Sequence, residues 1–164
     1  RGTMNYLKIM EKLHDLNVKL EYTTMNFAEL MISLASGACA IVRTSAHQFN
    51  LTYSQAIQIL NIPFDGIPMS KLAKQIGLDN STMTRNVQKL SALDLVSQAK
   101  GGYDSRVVIV SLTKKGYGLV GLLESQLHDM FSEILDGIDL DTQEHAITVL
   151  EQLTWSMDCY REKI

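Results

Sequence analysis

Residues 70–90 read SKLAKQIGLDNSTMTRNVQKL. Its apolar spacing predicts two short helices, from Ser70 to Ile76 and from about Ser81 to Leu93. Gly77 lies between them, where a left-handed backbone conformation costs least because glycine has no Cβ atom. Ala73 is small at the point where the second helix must approach the first closely. The stretch therefore predicts a helix-turn-helix.

The second predicted helix has one apolar and one polar face. Met83, Val87 and Leu90 recur at steps of four and three, which places them together on the buried side. The opposite side presents hydroxyls, amides and cations, the groups that hydrogen-bond base edges and phosphates in a DNA major groove. We expect DNA contacts from Ser70, Asn80, Ser81, Thr82, Thr84, Arg85, Gln88 and Lys89, with Arg85 contacting a base. Asp79, Asn80 or Ser81 can cap this helix and bring its N-terminal amides near a phosphate.

The spacing of apolar residues changes after this helix. Residues 95–100 and 106–112 are rich in Val and Ile and bracket the segment Gly101-Gly102-Tyr103-Asp104. This pattern predicts a β-hairpin with a glycine-bearing loop, and Lys100 adds a further expected DNA contact. A polar helix face by itself is more often simply solvated. The combination of a small residue, a turn glycine, a polar face and a hairpin with an arginine favours nucleic-acid binding instead.

Helices are predicted on both sides of this unit. Their expected extents are about Asn5–Tyr22, from Phe27 to Phe49, from a capping box at Thr52 and Gln55, from Thr113 to Ile134, and from Asp141 to Met157. The predicted fold class is therefore mainly α with a small β-hairpin wing.

Charge is distributed unevenly along the 164 residues, although the net charge is only −3. Residues 65–116 carry eight basic and four acidic side chains, whereas residues 117–164 carry two basic and ten acidic ones. A basic middle next to an acidic end indicates one surface that meets phosphate and another that faces away from it.

Cysteine usage and hydropathy predict a reduced, cytoplasmic protein. The two cysteines, Cys39 and Cys159, form no CxxC pair, and the start is not signal-like. We expect no apolar run approaching the ~18 residues that a membrane span requires. Residues 1–3, which precede Met4, resemble a remnant of recombinant expression, and we expect no fold element from them.

Residues 51–116 resemble the multiple-antibiotic-resistance regulator (MarR) family of winged helix-turn-helix transcription factors. The resemblance rests on the segments Leu51–Gln55, Leu72-Ala73, Ser81–Arg85, Leu95-Val96, Asp104–Arg106 and Val110–Thr113, followed by Gly116. The most specific piece is Asp-x-Arg, a β-branched strand and then Leu-Thr-x-x-Gly, here Asp104 to Gly116.

The resemblance implies a homodimer that binds a pseudo-palindromic operator, commonly as a repressor. Residues 1–50 and 114–164 would form a helical dimerisation region around a winged helix-turn-helix of residues 51–113. Arg106 would reach the minor groove from the wing, and Asp104 would hold that arginine in place. A small aromatic or anionic effector is a further implied partner, and its expected pocket residues are His47, Phe49, Tyr53 and Phe64.

Other classes of function receive less support. No nucleophile with a base, no paired carboxylates and no phosphate-cradling loop occur at a recognisable spacing, so we expect no enzyme and no cofactor. The histidines show no metal-ligand spacing, so no metal site is expected. Two alternatives stay open: a winged-helix module that binds a protein partner, and a regulator that responds to oxidation through Cys39 or Cys159.

Overall fold

The computed structural model of the protein describes residues 6–101 and 106–163, with side chains from Asn26 onward. In these ranges the backbone forms six helices and three strands. They are α1 (Tyr6–Gln48), α2 (Tyr53–Leu60), β1 (Ile67–Pro68), α3 (Met69–Ile76), α4 (Asn80–Ala92), β2 (Val96–Lys100), β3 (Val108–Leu112), α5 (Lys114–Leu135) and α6 (Leu140–Arg161). The mainly α class with a small β wing is thus confirmed.

The chain divides into two compact units. The first ends at Ala56 and the second begins at Ile57, so the division falls within α2. The second unit contains the helix-turn-helix, the sheet, α5 and α6. The expected dimerisation region and the expected DNA-binding region of residues 51–113 stay predictions.

Helix α1 is continuous where two helices were predicted, and that prediction is wrong at residues 23–26. This segment, Thr-Thr-Met-Asn, contains neither glycine nor proline, so nothing in it interrupts the backbone hydrogen bonds of a helix. The helix ends at Gln48, and Asn50 adopts a left-handed conformation with φ of 57°. The N–H of Leu51 then donates to the carbonyl oxygen of Ala46 at 3.0 Å.

The predicted capping box at Thr52 is confirmed. The backbone N–H of Thr52 donates to Oε1 of Gln55 at 2.8 Å, and the N–H of Gln55 donates to Oγ1 of Thr52 at 3.3 Å. Two amides at the start of α2 that no helical carbonyl satisfies are therefore bonded reciprocally.

The sheet has a third strand that the sequence did not indicate. Its order is β1-β3-β2, with both pairs antiparallel, and Lys100 is opposite Val108 in the predicted hairpin. Strand β1 is two residues long and contains Pro68, and a proline argues against a strand in a sequence pattern. The sheet accepts Pro68 because β1 is an edge strand, which needs fewer backbone donors than a central one.

The two C-terminal helices begin with side-chain caps. Thr113 Oγ1 accepts from the N–H of Gly116 at 3.0 Å, so Thr113 caps α5, whose start was predicted at this residue. Helix α6 begins at Leu140, and not at Asp141 as predicted, because the carboxylate of Asp139 accepts from the N–H of Thr142 at 3.0 Å. The hydroxyl of Thr142 also donates to Asp139 at 2.7 Å, and this bond, followed by the one from the Thr142 N–H, holds the pKa of Asp139 below its usual value.

The core of the second unit lies between α2, the helix-turn-helix and the sheet. Its most buried side chains include Ile59, Leu72, Met83, Leu90, Leu95 and Val110. Helix α6, in contrast, has no buried residue in the single chain.

One expectation about hydropathy is wrong. Among the described residues, Asn26–Gln48 is long and apolar enough to cross a membrane by length and composition, with a mean hydropathy of 1.4. Polar residues such as Glu29, Ser33 and Arg43 interrupt its apolar side chains, so the segment contains no uninterrupted apolar run of that length. Length and composition do not distinguish a spanning helix from a helix whose apolar surface meets another protein chain.

Candidate nucleic-acid interface

The turn of the helix-turn-helix follows the predicted geometry. Gly77 has a φ of 71° and ends α3, and the N–H of Leu78 donates to the carbonyl oxygen of Ala73 at 2.9 Å. Leu72 and Ala73 are buried on the inner side of α3. The second helix of the motif, α4, therefore begins three residues after this turn and runs over the core.

Asp79 is the residue that caps α4. Its Oδ1 accepts from the backbone N–H of Thr82 at 2.9 Å and from the hydroxyl of Ser81 at 2.5 Å. These hydrogen bonds, the one from Ser81 first, hold the pKa of the Asp79 carboxyl well below its usual range. The carboxylate is consequently ionised at neutral pH and stabilises the positive end of the α4 dipole.

The outward face of α4 has the polar composition that the sequence predicted. Met83, Val87 and Leu90 have no solvent exposure, so the opposite face of the helix points to solvent. The exposed residues on α4 include Asn80, Ser81, Thr84, Arg85, Gln88 and Lys89, whereas Thr82 is half-buried beside the cap. A surface of this kind offers donors and acceptors for base edges together with two cations for phosphates.

The short hydroxyl side chains on this face already have partners within the helix. Thr84 Oγ1 donates to the carbonyl oxygen of Asn80 at 2.8 Å, and the hydroxyl of Ser81 donates to Asp79. Arg85, Gln88 and Lys89 are the longer exposed side chains. They are therefore the members of this face with the greatest reach into a groove.

The remaining predicted DNA contacts lie on α3 and on the wing. Ser70 is exposed in the first turn of α3, and Lys100 is exposed at the end of β2. Arg106 is exposed shortly before β3, where the N–H of Gly101 donates to the carbonyl oxygen of Val107 at 2.7 Å. Asp104 lies outside the described residues, so its predicted role beside Arg106 stays a prediction.

The end of α4 is fastened to the start of α5 by contacts that no sequence pattern indicated. Asp94 adopts a left-handed conformation after the helix, with φ of 58°. Its carbonyl oxygen accepts from Thr113 Oγ1 at 2.6 Å, while Lys115 Nζ donates to the carbonyl oxygen of Leu93 at 2.7 Å. The position of α4 is thus coupled to α5.

The expected effector residues belong to different units of the chain. His47, Phe49 and Tyr53 lie in the first unit, and Phe64 lies in the second. His47 is exposed, and Phe49 is half-buried. Phe64 is 86% exposed, and its ring lies 5.5 Å from that of Tyr117.

Tyr53 takes part in a small polar cluster of the first unit. Its hydroxyl lies 3.0 Å from Cys39 Sγ, and the Arg43 guanidinium lies 5.4 Å from the centre of its ring. The hydrogen bond with Cys39, followed by burial, raises the pKa of Tyr53. Cys39 is thus half-buried and hydrogen-bonded.

A polar cleft of about 340 Å³ separates the end of α6 from α3. It is lined by Lys71, Lys74, Gln75, Asp158, Arg161 and Glu162. None of these side chains was singled out from the sequence as a site residue, because their spacing matches no ligand pattern.

The fold and the exposed polar helix define a winged helix-turn-helix protein. An HTH-type transcriptional regulator of Methylorubrum extorquens strain PA1, named TtmR, is 30% identical over 133 residues, which cover 74% of this chain and 67% of that protein. The chain belongs to the MarR family of winged-helix transcriptional regulators. This is a family of regulators and not of enzymes. No protein-family model matches the chain.

Solved structures of the family share this fold. Apo wild-type MarR from E. coli superposes with a TM-score of 0.69 at 18% identity, over 77% of this chain and 94% of that chain. A MarR family protein from Bacillus stearothermophilus gives a TM-score of 0.73 at 18% identity, over 84% of this chain and 97% of that chain.

Proposed function

We propose that this protein is a cytoplasmic, homodimeric repressor that binds a pseudo-palindromic DNA operator. The observation that carries the proposal is the exposed face of α4, with Arg85, Gln88 and Lys89 opposite the fully buried Met83 and Val87. An amide and two cations on the second helix of a helix-turn-helix can contact base edges and phosphates in a major groove.

The wing supplies a second contact with the duplex. Lys100 and Arg106 flank the hairpin loop and are exposed. A guanidinium in a narrow minor groove responds to the groove's width and negative potential, whereas α4 responds to base edges. By resemblance to the family, Asp104 orients Arg106 for this contact. Ser70, Asn80, Ser81, Thr82 and Thr84 complete the proposed interface around α4.

Homodimer formation is supported by the apolar surface of α6. Seven large apolar side chains of this helix are between 44% and 77% exposed, namely Leu140, Ile147, Val149, Leu150, Trp155, Met157 and Tyr160. A long helix with no buried residue has little to stabilise it in water, because helices in proteins depend on packing. A second copy of the chain covers this surface. The second copy also covers the apolar surface of residues 26–48.

The dimer places two α4 helices in successive major grooves, about 34–36 Å apart on one side of the duplex. A small aromatic or anionic effector that prefers a dimer with splayed α4 helices lowers DNA affinity by about 5- to 150-fold, the usual range of coupling between two sites. His47, Phe49, Tyr53 and Phe64 are the proposed effector contacts.

The test is a titration of the purified protein against the DNA upstream of its own gene and against a scrambled duplex, at two salt concentrations. We expect tight binding to the upstream DNA that weakens with salt, because phosphate contacts release counterions. Sedimentation of the free protein is expected to give twice the chain mass of 18.3 kDa.

The variant Arg85→Ala separates base recognition from general attraction to DNA. It is expected to lose the preference for the upstream duplex, whereas Lys163→Ala, at the exposed end of the chain, keeps it. Equal and weak binding of the wild-type protein to both duplexes would contradict the proposal and favour the module that binds a protein partner.

A further inference from the structure

The C-terminal end of α6 is tied to the end of α3 by one arginine. Arg161 Nη2 donates to the carbonyl oxygen of Lys74 at 2.8 Å and to that of Gln75 at 2.5 Å. Arg161 and Lys74 are 87 residues apart in sequence. The contact therefore joins a helix with an uncovered apolar surface directly to the first helix of the helix-turn-helix.

The chemistry of the contact suits arginine specifically. The last carbonyl groups of a helix have no donor within that helix and lie at the negative end of its dipole. A planar guanidinium supplies several donors in a fixed arrangement and reaches two such oxygens at once. Nη1 of Arg161 lies 3.5 Å from Oδ1 of Asp158 on its own helix, which helps to hold the side chain in this orientation.

The tie ends beside the turn that aims α4. The carbonyl oxygen of Lys74 also accepts from the N–H of Gly77, the residue whose left-handed conformation ends α3. Displacement of this end of α3 shifts Gly77 and, two residues on, the cap Asp79. The contact with α6, the turn glycine and the cap of α4 thus lie within six consecutive residues, from Lys74 to Asp79.

We propose that Arg161 is a positioning residue that fixes the helix-turn-helix relative to α6 and thereby sets the operator half-site spacing that the dimer accepts. This inference rests on the proposed function, since α6 belongs to the proposed dimer surface and α4 to the proposed DNA contact. Arg161 itself touches no DNA in this proposal.

The first experiment tests the tie without DNA. Hydrogen exchange of the backbone amides of Gly77 and Leu78 is measured in the full-length wild-type protein, Arg161→Gln, Arg161→Lys and Lys163→Gln. Arg161→Gln is expected to speed exchange at these amides by about fivefold or more, the lower end of typical coupling between sites. Arg161→Lys restores part of the protection, and Lys163→Gln, which removes an equal charge from an exposed residue, leaves it unchanged.

The second experiment measures spacing selectivity. The preferred duplex is first selected from a random DNA library with the wild-type protein, and variants of it are made with one base pair added or removed between the half-sites. Each such change moves a half-site by about 3.4 Å and rotates it by roughly 35°. A duplex with a single half-site serves as the control.

Wild-type protein is expected to bind the selected spacing at least about tenfold more tightly than either altered spacing. In Arg161→Gln this ratio falls by about fivefold or more, while affinity for the single half-site changes less than about twofold. The ratio for Arg161→Lys is expected to lie between those of the wild type and Arg161→Gln. The ratio for Lys163→Gln is expected to match that of the wild type.

The outcomes separate the two proposals. Selection of no sequence by the wild-type protein would overturn the proposed function, and this inference with it. Selection by the wild type, with unaltered spacing ratios in Arg161→Gln, would overturn the positioning role alone. An equal loss of affinity on every duplex would also overturn it, because a purely structural contribution of Arg161 predicts that pattern.

Discussion

The ammonium group of Lys115 donates a 2.7 Å hydrogen bond to the carbonyl oxygen of Leu93, the residue that ends α4. Lys115 lies in the first turn of α5, 22 residues along the chain. A cation at this place satisfies a terminal carbonyl group and interacts favourably with the negative end of the α4 dipole. The helix proposed to read DNA is thus anchored at its far end by a side chain of another helix.

Replacing Lys115 by Met tests this anchor. The variant is expected to lower the free energy of unfolding by about 0.3–1 kcal/mol, the usual contribution of an exposed cation at a helix C-terminus. Urea denaturation followed by circular dichroism measures the change. The control is Lys114→Met, which removes the neighbouring exposed cation. Equal losses in the two variants would show that the bond to Leu93 contributes nothing specific.

Gly116 is expected to tolerate no side chain. A Cβ atom there would overlap the carbonyl oxygen of Leu95 and press against Leu112, both fixed by the sheet and the end of α4. Gly116→Ala therefore lowers the free energy of unfolding by about 1–3 kcal/mol, as is typical of overpacking.

The matched control for this substitution is Gly118→Ala on the same helix. A Cβ atom at Gly118 has no neighbour within 4 Å, so the change only improves helix propensity. It is expected to raise the free energy of unfolding by about 0.5–1 kcal/mol. Effects of the same sign in both variants, measured by thermal unfolding, would contradict the close approach of α5 to Leu95.

The cap of α4 makes stability depend on acid pH. The folded-state pKa of Asp79 lies below that of the unfolded chain, which is about 3.9, because Ser81 and Thr82 bond the carboxylate. The ionised cap therefore stabilises the folded state above about pH 4, and this contribution is lost as the pH falls below that value.

Asp79→Asn keeps a good capping side chain but does not titrate. The difference in Tm between the wild type and this variant is expected to shrink as the pH is lowered from about 6 to about 2. Ser81→Ala, which removes the first of the two donors, is expected to reproduce part of the effect. A pH-independent difference would argue that Asp79 acts by shape alone.

Arg106 is expected to contribute to affinity without contributing to the dimer. Arg106→Ala weakens binding to the upstream duplex by about 1–3 kcal/mol, the usual cost of one lost specific contact. Fluorescence anisotropy measures the affinity, and sedimentation checks that the dimer is intact. Unchanged affinity in an intact dimer would show that Arg106 of the wing does not contribute to DNA binding.

Lys89 is expected to act as a phosphate contact. Lys89→Ala reduces the slope of log affinity against log salt concentration by about one, and it does so equally on upstream and scrambled duplexes. Arg85→Ala is the comparison, since its loss is expected on the upstream duplex alone. A loss of affinity in Lys89→Ala that is confined to the upstream duplex would instead indicate that Lys89 contacts a base.

The parts of the fold that were predictable are those with short-range signals. The helix-turn-helix was read from residues 70–90 because its burial pattern, its turn glycine and its cap all lie within one stretch of chain. The same holds for the hairpin and for the caps at Thr52 and Thr113. The break predicted after Tyr22 was wrong because an irregular apolar spacing does not end a helix when no glycine or proline is present.

Strand β1 and the anchors of the helix-turn-helix were not predictable in this way. Pro68 enters a strand only because an edge of β3 is available to it, and that edge is supplied by residues about 40 positions further along the chain. Lys115 and Arg161 are ordinary cations in the sequence, with no spacing that marks them as helix caps.

Local residue chemistry thus dictates that this chain forms a winged helix-turn-helix with a polar outward face on α4, because buried and exposed positions alternate with the period of each element. The direction in which that face points is decided by the tertiary structure. It depends on the bonds of Lys115 to Leu93 and of Arg161 to Lys74, across 22 and 87 residues. Such partners meet only after the helices have packed, since a hydrogen bond between distant segments leaves no periodic trace along the chain.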